Sequence, residues 1–331
     1  AARRRKRPTV MLAVEDGKRY AKLHRIGEGS FGQVFRATDT RTGRDVALKH
    51  IRLRDLRSLP AAALREVLAL RAVEHPNVMR LVATYTHGAN LVLVLPLMRL
   101  SLHAVLDQRA TPLPERAVRD IGAQLLAGLA ATHEAGVMHR DVKPGNVLFG
   151  GDGMVQLADF GQARLRPDGC GDGAPLTAHV GTRWYRAPEL LLGSTSYGAP
   201  VDMWAAGCVL AQLYTLSPLL AGASDIDQMF RVVALLGSPT SQRWPAATSL
   251  PDHGKLQLPE CEPTPLGTLM PHAPDEALAL LDRLLRYEPR ATATEALGSE
   301  WVARRERLSR AELLRLVVDE AEAEAEGRRV G

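Results

Sequence analysis

The residues best placed to do chemistry lie in one short stretch, His139 to Asn146, which reads HRDVKPGN between the apolar runs Gly136 to Met138 and Val147 to Phe149. A loop between two strands is the expected setting. Asp141 offers a carboxylate base, Lys143 a cation two residues on, and Asn146 an amide five residues on. Downstream, Ala158 to Gly161 reads ADFG, and Asp159 adds a second carboxylate. One carboxylate to orient a hydroxyl, another with an asparagine to hold Mg²⁺, and a lysine to stabilise moving charge form a set suited to phosphoryl transfer from a nucleotide.

Such a site needs elements that hold a triphosphate. Ile26 to Phe35 reads IGEGSFGQVF, and a lone GxGxxG is weak evidence. Here Gly27, Gly29 and Gly32 are flanked by apolar residues on both sides, which predicts strand, turn, strand and disfavours the strand-to-helix turn of a dinucleotide-binding unit. Glycines let backbone amides approach phosphates, and Ile26 and Val34 can cover a base. Val46 to Ile51 (VALKHI) alternates as a strand with Ala47, Lys49 and Ile51 on one face. Ser58 as N-cap and Pro60 in the first turn predict a helix to about Val73. Glu66 falls within the apolar stripe of that helix, beside Ala62, Ala63, Leu70 and Val73, and needs a partner there. Lys49 is the obvious one. Leu91 to Met98 reads as a buried strand broken by Pro96, connecting a small first lobe to a larger second one. Pro114 to Ala135 has helical spacing leading into the catalytic loop, Asp202 to Gly207 opens an apolar helix, and helical patterns resume at Glu276 to Leu285 after an irregular, proline-rich stretch. Ser309 to Glu326 opens with a capping box and ends in alternating Ala and Glu, which reads as a solvated helix.

Composition bounds these readings. The chain has 331 residues, 46% hydrophobic and 24% charged, enough for a substantial core. Its net charge of +5 is matched by Arg3, Arg4, Arg5, Lys6 and Arg7 alone. The rest is formally neutral, which argues against a nucleic-acid-binding core. The basic tail itself reads as a solvated end. Cys170, Cys208 and Cys261 lack metal-ligand spacing and suit reduced thiols. With no apolar run of about 18 residues and no signal-type segment, the expectation is a soluble intracellular protein without a membrane partner.

From about Tyr20 to Trp301 the chain resembles a eukaryotic serine/threonine protein kinase: the glycine loop, VALK, Glu66, HRDVKPGN, DFG and Ala187-Pro188-Glu189 occur in the right order. Lys143 is the serine/threonine mark. TRWYRAPE from Thr182 and the PAAALREV segment resemble the cyclin-dependent and mitogen-activated group, and LPDHGK at Leu250 to Lys255 with GSPTSQRWP before it resembles the cell cycle-related kinase subfamily. The resemblance implies an α+β, bilobal protein kinase fold. Residues 1–19 would be a basic tail, 20–95 a small β-rich N-lobe, 96–99 the hinge, 100–301 a larger, mainly helical C-lobe, and 302–331 a helical, acidic tail.

The cofactors implied are ATP and Mg²⁺. Lys49 and Glu66 would form an ion pair, Asn146 and Asp159 hold Mg²⁺, Asp141 accept the substrate hydroxyl proton and Lys143 stabilise the transferring charge. ATP would lie against Ile26, Gly27, Glu28, Gly29, Ser30, Phe31, Gly32, Gln33, Val34 and Ala47, with the Pro96 carbonyl and Met98 amide on adenine behind Leu95. Leu70, Leu81, His139 and Phe160 would stack as a spine, and Glu189 would pair with Arg290. Thr177 is the implied activating phosphosite, met by Arg65, Arg140 and Arg164. Val180, Gly181 and Arg186 would shape a pocket for proline after the acceptor, because a left-handed Gly181 turns its carbonyl to the arginine and leaves a substrate amide without an acceptor. Partners implied are protein substrates with Ser-Pro or Thr-Pro sites, an upstream activating kinase and a cyclin-like activator, in cytoplasm or nucleus, with the cilium added by the subfamily.

The chain also departs from that pattern. Phe31 replaces the glycine-loop tyrosine that cyclin-dependent kinases often carry, leaving Ser30 as the acceptor there, and His179 stands where mitogen-activated kinases carry a second acceptor tyrosine. The helix that would contact a cyclin is altered toward alanine and leucine. A catalytically silent scaffold with the same fold is the alternative. The presence of Lys49, Glu66, Asp141, Asn146 and Asp159 together weighs against it.

Overall fold

The computed structural model describes residues 17–29, 32–53, 60–165 and 176–319. They fall into two compact units. One comprises the described residues up to Leu64 with Arg80–Leu97, the other Arg65–Met79 with the described residues from Met98 onward.

The first unit is built on a five-stranded antiparallel sheet of β1 (Tyr20–Gly29), β2 (Gly32–Asp39), β3 (Asp45–Arg52), β4 (Ala83–His87) and β5 (Asn90–Pro96), in the order β1-β2-β3-β5-β4. Side chains alternate across a strand, so each face has its own set. Val46 and Leu48 join Tyr20, Ala37, Tyr85, Val92 and Val94 in a core on one face, with Phe35 and Ala83 packed against it. Ala47 and Lys49 point the other way. The helix α1 (Ala61–Ala72) follows, and the Pro60 carbonyl accepts from the Leu64 amide. Pro60 therefore sits just before the helix and not in its first turn; Ser58 lies outside the described residues.

The second unit is mainly helical. Two small sheets, β6 (Met98–Ser101) with β8 (Val147–Gly150) and β9 (Val155–Leu157), and β7 (Val137–Met138) with β10 (Arg164–Leu165), bracket the HRDVKPGN loop and the DFG turn. Around them run α2 (Leu102–Gln108), α3 (Glu115–Glu134), α4 (Pro188–Leu191), α5 (Pro200–Thr215), α6 (Asp225–Leu236), α7 (Leu266–Leu269), α8 (Asp275–Leu284), α9 (Ala293–Leu297), α10 (Glu300–Ala303) and α11 (Arg310–Leu314). Residues Val201 to Leu213 of α5 are buried on every side, as an apolar all-round pattern requires. The Arg290 guanidinium grips both Glu189 carboxylate oxygens at 2.6 and 2.8 Å, fixing the APE segment to the helices beyond it.

The start of the carboxyl-terminal tail is not a solvated helix. The capping box of Ser309 and Glu312 forms, but Leu313, Leu316 and Val317 are buried. Arg109 donates to the Leu316 carbonyl at 3.0 Å, and Arg310 pairs with Asp152 at 2.7 Å. Gly153, at φ +80°, lies so close under this segment that a Cβ there would sit 2.2 Å from the Arg310 carbonyl oxygen. The segment is held by burial, since the Arg310–Asp152 pair is more than half exposed and worth little. Leu313→Ala should therefore cost ~2–5 kcal/mol in urea denaturation. A loss under about 0.5 kcal/mol would return the solvated reading.

Candidate active site

The HRDVKPGN loop is anchored from α5. Asp202, 1% exposed, accepts the His139 amide at 2.8 Å on one carboxylate oxygen and the Arg140 amide at 2.7 Å on the other, with His133 Nε2 2.9 Å away. These bonds hold Arg140 at φ +66°, a conformation costly for a residue with a Cβ. His139 is locked as well. Its Nδ1 accepts the Asp141 amide at 3.2 Å, so the proton sits on Nε2, which donates to the Ala158 carbonyl at 2.9 Å; the ring meets Phe160 edge-on at 4.7 Å.

Asp141 is the hub that results. Its Oδ1 accepts from the Thr182 amide at 2.9 Å and hydroxyl at 3.0 Å. Its Oδ2 lies 2.8 Å from Lys143 Nζ and 3.1 Å from Asn146 Nδ2. Lys143 also donates to the Thr182 hydroxyl at 2.8 Å, and Asn146 to the Asp141 carbonyl at 2.8 Å. Asp141, Lys143 and Asn146 are thus brought together, joined by Thr182, to which sequence reasoning gave no role.

With its amide nitrogen committed to Asp141, Asn146 keeps its side-chain oxygen for a cation. The Ala158 amide donates to the Asn146 carbonyl at 2.8 Å, which sets the following residue, Asp159, beside it, itself held left-handed at φ +60°. A carboxylate and an amide oxygen are the donors a hard divalent cation takes, so the pair fits Mg²⁺. Among the described residues no group of three His, Cys, Asp or Glu side chains gathers to hold a metal.

Thr177 is exposed, but its backbone is tied: its carbonyl accepts from Tyr197 Oη at 2.8 Å, and Tyr197 accepts from Arg140 Nη1 at 2.8 Å. Arg65 stands close enough to Arg140 and Arg164 for both to lower its pKa, after the larger effect of burial, and its Nε is buried without a hydrogen-bond partner. Three like charges with an orphaned donor are a site for an anion. A few residues on, Gly181 has φ +75°, and Arg186 donates to the Val180 and Gly181 carbonyls, each at 3.1 Å.

In the first unit, Ile26, Gly27, Glu28 and Gly29 end β1, and Gly32, Gln33 and Val34 begin β2; Ser30 and Phe31 lie outside the described residues. Lys49 lies mid-strand opposite Val34 and Leu93, Ala47 opposite Leu95, and Pro96 ends β5. In the second unit Glu66 is 2% exposed on α1, and Met98 opens β6.

The preset Asp141 carboxylate with Lys143 and Asn146 beside it, in the loop of the helical unit, defines a class. Residues 20–302 match the protein kinase domain, and the chain belongs to the protein kinase family. Its relatives place it among serine/threonine kinases of the cyclin-dependent type. Cyclin-dependent kinase 20 of Rattus norvegicus is 43% identical over 283 residues, 84% of this chain and 81% of that protein. Cyclin-dependent kinase D-1 of Oryza sativa subsp. japonica is 42% identical over 285 residues, and serine/threonine-protein kinase ICK of Mus musculus 39% over 284, each over 84% of this chain. The matches span 65% of the rice protein and 44% of the mouse protein. No helix among the described residues is long and apolar enough to cross a membrane.

Asp202 makes a pH prediction. Burial alone would raise its pKa, but the His133 hydrogen bond and charge, His139 and the Arg140 amide together bring it below its ordinary value. A folded pKa below the unfolded one means this anion's contribution to stability is fully present above about pH 4 and is lost as pH falls through the folded value. Asp202→Asn should lose ~1–3 kcal/mol at pH 7, because an amide offers only one acceptor oxygen to two backbone donors. The variant should also show a shallower acid decline. Urea denaturation at several pH values measures both.

Proposed function

We propose that this chain transfers the γ-phosphoryl group of MgATP to serine or threonine followed by proline in protein substrates, and that phosphorylation of Thr177 activates it. The observation that carries the reading is the Asp141 carboxylate, held by Thr182, Lys143 and Asn146 at the centre of a rigid loop. Catalysis of this class is positioning and electrostatics, which such a preset carboxylate and cation supply. Asp141 orients the substrate hydroxyl and takes its proton, and Lys143 Nζ stabilises charge on the moving group. Mg²⁺, when bound through Asn146 and Asp159, supplies neutralisation of the phosphate oxygens. Lys49 orients the α and β phosphates, and the glycines that end β1 and begin β2 cover the triphosphate.

Arg65, Arg140 and Arg164 receive the Thr177 phosphate, which carries about −1.5 to −2 charge and makes one to three charge-assisted hydrogen bonds. That joins α1, and so Glu66, to the catalytic loop. The name cyclin-dependent kinase, carried by several relatives, supports a cyclin-type activator as partner, and phosphorylation of Thr177 calls for an upstream kinase. A role in the cell cycle or the cilium, in cytoplasm or nucleus, follows from the subfamily resemblance.

Asp141→Asn should leave MgATP affinity, measured by calorimetry, largely intact while lowering peptide turnover ~10²- to 10⁴-fold. Normal turnover would remove Asp141 from the chemistry. Thr177→Ala, treated with an activating kinase, should stay at the basal rate of the untreated wild type. Wild-type activation in that variant, with mass spectrometry placing the phosphate elsewhere, would move the switch.

A further inference from the structure

The activation segment meets two separate sets of arginines, and they differ in one respect. Arg65, Arg140 and Arg164 gather around an orphaned, buried Arg65 Nε. Arg183 and Arg186 already share a carboxylate: Asp225, first residue of α6, accepts Arg183 Nε at 2.7 Å on Oδ1 and Arg186 Nη1 at 2.9 Å on Oδ2. The same arginine, Arg186, holds the Val180 and Gly181 carbonyls.

The turn before α6 reinforces this grip. Arg183 donates to the Ala223 carbonyl at 3.1 Å and Trp184 Nε1 to the Gly222 carbonyl at 3.2 Å. Gln228 bridges the two sides, accepting the Gly222 amide at 2.8 Å and donating to the Trp184 carbonyl at 3.3 Å. The Arg186 side chain is only 11% exposed, so its bond to Asp225 is shielded, whereas Arg183 at 42% is screened and contributes less.

We infer that Asp225 is a built-in counter-ion that assembles the pocket for the residue after the acceptor, so that preference for proline is present before Thr177 is phosphorylated and phosphorylation sets only the rate. The inference rests on the proline-directed reading. A guanidinium largely withdrawn from water needs an anion to keep its place. Asp225 provides one permanently, from an element outside the activation segment. Burial pushes the Asp225 pKa up, but the Arg183 hydrogen bond and the charges of Arg186 and Arg183, with a smaller effect from His179, bring it below its ordinary value, so the carboxylate stays charged at neutral pH. With Arg186 held, the Gly181 carbonyl is taken and an amide at the next substrate position finds no acceptor. Without Asp225, Arg186 is free to turn outward, the Gly181 carbonyl becomes an acceptor, and alanine at that position recovers what proline never loses. Asp225 is a positioning residue.

The test is kcat/KM for two peptides that differ only in proline or alanine after the acceptor serine. A ratio cancels the folded, active fraction of enzyme, so it reports the pocket even in a weakened variant. In wild type the ratio should be ~tenfold or more, the cost of a buried unmade hydrogen bond, and should agree within about twofold before and after activating phosphorylation while both rates rise. Asp225→Asn should bring the ratio toward one, through a gain for the alanine peptide, and Asp225→Glu should restore most of it. An undiminished ratio in Asp225→Asn overturns the inference and leaves the proline-directed reading standing. A wild-type ratio that arises only on phosphorylation overturns it too, and needs no variant to fold. A ratio near one in phosphorylated wild type overturns the proline-directed reading and this inference with it.

Discussion

The buried carboxylate of Asp202 is the constraint on which the catalytic geometry depends. It takes two consecutive backbone amides, His139 and Arg140, and so fixes the loop by its main chain. A single charged group can hold a positive φ at Arg140 because both its oxygens are occupied by donors that have no other acceptor. From there order passes outward through Arg140 to Tyr197, through His139 to the turn before Asp159, and through Asp141 to Thr182 and Asn146. Thr182 is thus docked on a loop whose position is fixed from a helix of the core.

Local chemistry made much of this legible in the sequence. The glycines between apolar runs predicted a strand pair, and β1 and β2 pair through Glu28 and Gln33. Pro114 and Ala135 bound α3, and Ser309 with Glu312 forms the capping box that Ser-x-x-Glu announces. HRDVKPGN placed Asp141, Lys143 and Asn146 within reach of one another because two and five residues is all that separates them. What could not be read was long range. Thr182 lies 41 residues from Asp141 and Asp225 42 from Arg183, and neither has an unusual neighbourhood in the chain. Asp202 left a signal, an acid at the mouth of an apolar helix, but an acid in the first turn of a helix is ordinary and does not by itself announce a buried anchor.

The tail shows the same limit from the other side. Its composition, dominated by Ala and Glu toward the end, suggested a helix that water would surround. The structure buries Leu313, Leu316 and Val317 at the front of it. Five of the six residues from Leu313 to Val318 are apolar, so spacing alone does not say which of them a neighbouring surface will cover. Arg109, 207 residues away from Leu316, supplies the donor that closes the contact. Burial of this kind is a property of two surfaces, and only one of them is local in sequence.

The bond from Tyr197 to the Thr177 carbonyl has a consequence in terms of effective concentration. A free anion reaching the three arginines surrenders its translational freedom at that moment. A phosphate attached to Thr177 is delivered by a backbone already tethered, two hydrogen bonds away from one of those arginines, so most of that entropy has been lost beforehand. On the proposal that Thr177 is phosphorylated, the arginines would meet a covalently placed phosphate at a local concentration that no free phosphate in solution reaches, and the cluster would answer to one hydroxyl of its own chain before the anions of its surroundings.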